Sequence, residues 1–232
     1  MSRQAINLCV SLCILLLVEG LTSIRAETSE ESDSEPTPTA RDQLLDAITE
    51  DYLKVLDYEM IHSKDLFQDV LDDDNLQNTK SEILQGKKMV LKKFVEHVSE
   101  RKLKKFPPKA HKPARFFHIF SNSLLYREFL DIVARLEPAK SRYDDRIEEA
   151  LYSNGIENFL KSVNQKRNKL IADSVKRIDG YVSGLSAEQR RKAAAQKLSD
   201  WSAKMKESEK LQQKMVVLQE FLRYEYLDAT PL

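Results

Sequence analysis

From Thr39 onward the apolar residues recur at intervals of three and four, the period that gathers side chains on one face of an α-helix. Leu45, Ile48, Tyr52, Val55, Leu56, Met60, Ile61, Leu66, Phe67, Val70 and Leu71 make the first such stripe. Thr39 and Asp42 stand in capping-box spacing before it, with Asp in place of the usual Glu or Gln. The pattern predicts a helix to Asp72 with a break near His62 and Ser63. Asp72, Asp73 and Asp74 then end it, because anions are unfavourable at a helix C-terminus.

A second box, Thr79 with Glu82, opens a helix that gathers Ile83, Leu84, Val90, Leu91, Phe94, Val95, Val98, Leu103 and Phe106 on one side. Pro107 and Pro108 stop it, since proline lacks an N–H and clashes with the preceding turn. A third helix carries Phe116, Phe117, Ile119 and Phe120, the most aromatic run in the chain, and continues through Leu124, Leu125, Phe129, Ile132, Val133 and Leu136. Ser121, Asn122 and Ser123 offer a break or a new N-cap within it. Ser141 and Asp144 cap a short fourth helix around Ile147 and Leu151, and Asn154-Gly155 closes that one.

The cleanest stripe follows: Ile156, Phe159, Leu160, Val163, Leu170, Ile171, Val175, Ile178 and Val182, ended by Gly184. Ser186 and Gln189 box the last helix. There Leu198, Trp201, Met205, Ser208, Leu211, Met215, Leu218 and Leu222 form a coiled-coil-like seam with one skip near Ser208. Unbroken to Leu227, this helix measures about 60 Å at 1.5 Å per residue. No stretch shows sustained strand alternation and glycine is scarce, at five residues. The expected fold is all-α: a secreted helical bundle of about six helices with a long coiled-coil-like C-terminal helix.

The N-terminus changes the context. Met1-Ser2-Arg3 precedes an apolar run from Ala5 to Val18, with small residues at Gly20, Ser23 and Ala26. This is the layout of a secretory signal peptide. The run has fourteen residues, against about 20 for a membrane span, which favours cleavage over a signal anchor. The bond after Ala26 is the favoured site, with Gly20 the competitor. Both cysteines, Cys9 and Cys13, lie in this leader, so the mature protein is expected to be cysteine-free and to rest on its packed core.

Charge is segregated within a formal net of zero. Residues 27–74 hold sixteen acids and three bases, a net of −13, and residues 75–232 hold twenty acids and thirty-two bases, a net of +12. Residues 27–39 are acidic, Ser/Thr/Pro-rich and without bulky apolar residues, hence a disordered tail. The expected organisation is a signal peptide over 1–26, the tail over 27–39, an acidic/basic helical pair over 40–106, a proline-rich basic hinge over 107–115, and an aromatic-rich helical half over 116–232 packed with 40–106 as one domain.

Candidate chemistry is sparse. No cysteine follows the leader. Gly184-Leu185-Ser186-Ala187-Glu188 lacks the last glycine of a nucleophile elbow and sits between helices, so Ser186 reads as a cap. The histidines, His62, His97, His111 and His118, have no metal-ligand spacing. Asp72-Asp73-Asp74-Asn75 lacks the glycine and distant glutamate of an EF-hand loop. No phosphate-binding or dinucleotide loop is present. Neither a metal nor a cofactor is expected, and no catalytic residue is nominated.

Two features remain. Residues 101–115 hold seven cations, Arg101, Lys102, Lys104, Lys105, Lys109, Lys112 and Arg115. Glu100 to Lys105 resembles short heparin-binding patterns, and such a cluster gains by releasing counterions from a polyanion. Against that stands neutralisation by the acidic first helix or tail. Phe116, Phe117, Phe120 and Phe129 are either core or the lining of a cavity for an apolar ligand. The expected function is a secreted, non-enzymatic binding or interaction protein, an effector that contacts an extracellular protein or other macromolecule through its charged faces and long last helix, with a sulfated polyanion as the candidate partner of residues 101–115. The alternative is a carrier of a fatty or other apolar ligand inside the bundle. Nucleic acid is not an expected partner, no membrane span is expected after the leader, and the last helix offers a surface for self-association.

Overall fold

A computed structural model describes residues 39–77, 81–100, 112–136 and 146–228. In chain order they form α1 (Ala40–Asp72), α2 (Asp74–Gln77), α3 (Glu82–Glu100), α4 (Lys112–Leu136), α5 (Arg146–Ser153), α6 (Ile156–Gly184), α7 (Ala187–Arg191), α8 (Ala193–Glu207) and α9 (Leu211–Arg223), closed by a π-helical turn, Tyr224–Asp228. The fold is all-α, but the expected six helices become nine α-helices among the described residues. The long coiled-coil-like C-terminal helix is not there.

The reason lies in the seam itself. At 100° per residue, the ten positions from Met205 to Met215 would leave the two side chains about 80° apart around an unbroken helix. Instead the backbone becomes extended at Lys192 (φ −67°, ψ 143°) and again at Ser208 (φ −62°, ψ 126°) and Lys210 (φ −92°, ψ 136°). Each break re-aims the next helix, and Leu198, Trp201, Met205, Met215, Leu218 and Leu222 are all buried in the protein's own core. These six positions of the seam therefore face the protein's own core.

Other breaks predicted from polar residues do not occur. α1 runs uninterrupted for 33 residues, and Ser63 is buried in it with its hydroxyl donating to the Met60 carbonyl at 3.0 Å. α4 likewise passes through Ser121 and Ser123, whose hydroxyls donate to the carbonyls of His118 and Phe120. A serine that turns its hydroxyl back on the preceding turn has no need to end the helix. The Thr39–Asp42 and Ser186–Gln189 boxes are both formed. Thr79 lies outside the described residues; at the start of α3 it is Ser81 whose hydroxyl accepts from the Leu84 N–H. Ser141 and Asp144 also lie outside. Gly155 adopts φ +85°, the left-handed conformation that turns α5 into α6.

α1 organises the packing. It runs antiparallel to α6, as Glu59–Arg167 and Asp51–Arg177 show. It is antiparallel to α3 and parallel to α4, since Phe67 meets both Phe94 and Phe129 while Asp46 meets Arg115. Its C-terminal half joins α3, α4, α5 and the start of α6 in one apolar cluster, centred on Phe67, Phe94, Phe129 and Phe159. Its N-terminal half joins the rest of α6 with α8, α9 and the π turn in a second, centred on Ile48, Tyr52, Trp201 and Phe221. The π turn is held to α1 by Arg41, whose Nε and Nη2 donate to the two carboxylate oxygens of the buried Glu225 at 3.0 and 2.9 Å. The two cysteines of the full chain, Cys9 and Cys13, lie outside the described residues, and cysteine-free is a wrong description of a chain that contains them. Among the described residues no helix is long and apolar enough to cross a membrane.

Candidate functional site

A helix at the surface of a bundle normally carries one apolar face and one polar face. α4 carries two apolar faces. Ile119, Leu125, Phe129, Ile132 and Leu136 are buried toward α1 and α3. On the other side Phe117, Phe120 and Leu124 are 46%, 49% and 44% exposed. α9 runs beside this second face. It buries Met215, Leu218, Phe221 and Leu222 but leaves Val216 exposed.

The trough between α4 and α9 is floored by α1. Its narrower end, a cavity of about 140 Å³, is walled by Phe116, Ile119, Phe120, Val216 and Leu222, with Glu220 and Arg223 also on its lining. The wider end, about 410 Å³, adds Leu56, Leu124, Tyr126, Leu130, Met215 and the polar side chains Arg127, Asp131, Arg167 and Gln212. Tyr52, Phe120, Ser123, Val216 and Gln219 line both cavities, so the two are one groove graded from apolar to polar.

The floor is built from fixed polar contacts. Gln219 of α9 donates through Nε2 to the Tyr52 hydroxyl at 2.7 Å. Burial raises the Tyr52 phenol to about 12, so it stays protonated. Arg167 of α6 places its guanidinium 4.6 Å from the Tyr126 ring centre and its Nε 2.6 Å from Oε1 of Glu59. Glu59 is fully buried, and its Oε2 has no hydrogen-bond partner. Burial pushes its carboxyl above the usual range, with Arg167 opposing. The pair occupies the seam between the two apolar clusters, behind the polar end of the groove.

Of the aromatic residues singled out in sequence, Phe116 and Phe120 line the groove. Phe117 is exposed beside it. Phe129 does not line it: it is fully buried against Phe67, Phe94 and Phe159, and is core. Of the cationic residues, Arg101, Lys102, Lys104, Lys105 and Lys109 lie outside the described residues. Lys112 is the first residue of α4, and Arg115, one turn on, pairs with Asp46 of α1. The acidic helix thus neutralises one cation of the basic stretch. Two more of its acids, Asp51 and Glu59, pair with Arg177 and Arg167 of α6.

Arg127, Arg167, Tyr52 and Gln219 were not nominated from sequence. Arg167 carried a readable signal: it falls four residues after Val163 and three before Leu170, on the apolar stripe of its helix. Glu59 has the same signature, between Leu56 and Met60. Opposite charges on the buried stripes of two helices point to a pair that meets. Among the described residues no cluster of side chains could hold a metal ion. Compared with protein-family models, curated proteins and solved structures, the chain matches none.

Proposed function

We propose that this chain is a secreted, non-catalytic binding protein that carries an apolar ligand in the groove between α4 and α9. The observation that carries the reading is the continuity of the two cavities along the second apolar face of α4. The wider part falls within the roughly 300–1,000 Å³ of small-molecule sites, which are mostly apolar with a few placed polar groups. Uncovered aromatic and aliphatic side chains on both walls give such a ligand surface to bury, at about 25 cal/mol per Å². Secretion rests on the leader-like pattern of residues 1–26.

The test is the ligand content of protein purified from its source. Native mass spectrometry and solvent extraction should recover an apolar compound, and an apolar naphthalene dye should saturate the emptied protein at one site. Val216→Asp, at an exposed position, should remove dye uptake while leaving the helical circular dichroism unchanged. Protein that is empty at source and takes up no dye would sink the carrier reading.

Polyanion binding through residues 101–115 is a second proposal, favoured by the seven cations of that stretch and weakened by the engagement of Arg115 with Asp46. It calls for retention on heparin beyond that on a plain cation exchanger, lost when Lys102, Lys104, Lys105 and Lys109 become alanine.

A further inference from the structure

The groove has a polarity along its length, and that polarity selects a class of ligand. At the narrow end the walls are mainly apolar, Phe116, Ile119, Val216 and Leu222, with one acid and one base, Glu220 and Arg223, that offset each other in charge. At the wide end two guanidinium groups, Arg127 and Arg167, reach the lining. Arg167 spends only its Nε on Glu59. Its terminal nitrogens have no hydrogen bond among the described residues, and its side chain is still 17% exposed. Arg127 has neither an ion pair nor a hydrogen bond there. A planar guanidinium with free N–H groups is suited to a carboxylate, which it binds with charge-assisted, often paired hydrogen bonds.

Among the described residues, two acids stand at the wide end. Glu59 is fully buried behind Arg167 and takes the inner edge of that guanidinium, which holds the outer edge in place. Asp131 lines the wide end four residues after Arg127 and is exposed. Two cations therefore line the wide end against one exposed acid, and one of the cations is fixed by a buried partner. Gln212 and Gln219 add amide groups to the same end.

Resting on the carrier reading above, we infer that the ligand is an anionic amphiphile: an aliphatic chain seated against Phe116, Ile119 and Val216, with a carboxylate received by Arg167 and Arg127. The Tyr52–Gln219 hydrogen bond spans the floor where chain and head meet, because both residues line both cavities. No covalent step is involved.

The experiment compares three probes of equal chain length, dodecanoate, dodecanol and dodecyltrimethylammonium, below their aggregation concentrations, by calorimetry on the whole mature protein. Dodecanoate should bind at least tenfold more tightly than dodecanol, a gap of about 1.4 kcal/mol, and the ammonium should bind most weakly. Arg127→Gln, a change at an exposed position, should shrink the acid-over-alcohol ratio by several-fold, the loss falling mainly on dodecanoate. Raising salt should weaken dodecanoate alone. Equal affinity for acid and alcohol, or preference for the ammonium through Asp131, overturns the headgroup assignment and leaves the carrier reading standing. Binding of none of the three overturns both.

Discussion

Glu59 and Arg167 meet at 2.6 Å between α1 and α6, with the acid fully buried and one of its oxygens unpartnered. Taking two charges out of water is costly, and the mutual attraction recovers that cost only with good geometry. Removing one partner leaves the other charge stranded. Arg167→Met should therefore destabilise the protein by about 3–5 kcal/mol. The double change Glu59→Met with Arg167→Met should return it close to the original stability, because two apolar groups of similar volume then fill the seam. Urea denaturation of the two variants decides this; a double variant as unstable as the single would show that the pair contributes more than mutual neutralisation.

The same carboxyl makes stability depend on pH. Burial raises the Glu59 pKa in the folded protein above its ordinary 4.5, with Arg167 opposing. Between these two values the folded state holds a proton that the unfolded state has released. Stability from this group therefore falls as pH rises from 4.5 toward the folded pKa, and is level above it. Relative to Glu59→Gln, the unmodified protein should lose stability across that interval and then run parallel. A difference that grows in the opposite direction would mean that the Arg167 interaction outweighs burial.

Gly155 is the one described glycine with a positive φ, at +85°, and a Cβ built there meets nothing within 4 Å. Substitution should therefore report backbone strain alone. Gly155→Ala should cost about 1–2 kcal/mol, and Gly155→Asn distinctly less, since asparagine tolerates the left-handed region. Thermal melts of the pair provide the comparison, and equal losses for Ala and Asn would point to something other than strain.

What could be read in the chain beforehand depended on whether the signal was local. The Thr39 and Ser186 caps and the Gly155 turn were legible because each is set by residues three or four apart. The continuity of α1 through Ser63 was not, because a buried serine bonded to Met60 looks, in sequence, like a helix stop. The break at Lys192 was not legible, and the one at Ser208 showed only as a skip in the seam, where Met205 and Leu211 are six residues apart; that the chain leaves the helix at both points is seen only in the structure. The groove was half legible. The aromatic run on α4 drew attention to Phe116 and Phe120, but the same logic included Phe129, which faces inward. Val216, Gln219 and Arg167 come from distant parts of the chain, and their convergence belongs to the tertiary structure.

The π turn is fixed to α1 by a second contact beside Arg41–Glu225. The hydroxyls of Thr49 and Tyr226 lie 2.6 Å apart and are buried. Tyr226→Phe removes one hydroxyl and strands the other, which should cost about 1–3 kcal/mol. Because the turn packs on α4 as well as α9, the variant should also raise hydrogen exchange at residues 224–228 and at the start of α4. Exchange that rises only in the turn would place its coupling to α4 elsewhere.

Trp201 separates an inward seam from an interface between copies. It is 7% exposed, its ring centre lies 6.4 Å from those of Phe221 and Tyr224, and Lys204 and Lys197 approach it at 4.8 and 5.5 Å. Its indole N–H is buried without a partner. Trp201→Ala should cost about 3–5 kcal/mol, as large-to-small changes at buried aromatic positions do. Trp201→Phe should cost much less, because it keeps most of the apolar volume and removes the stranded N–H. Neither should change the mass measured by light scattering at concentrations where both variants remain folded. If Trp201→Ala instead halved that mass with little loss of helicity, the residue would be holding two chains together, and the broken helices α8 and α9 would have to be reread as parts of a shared interface.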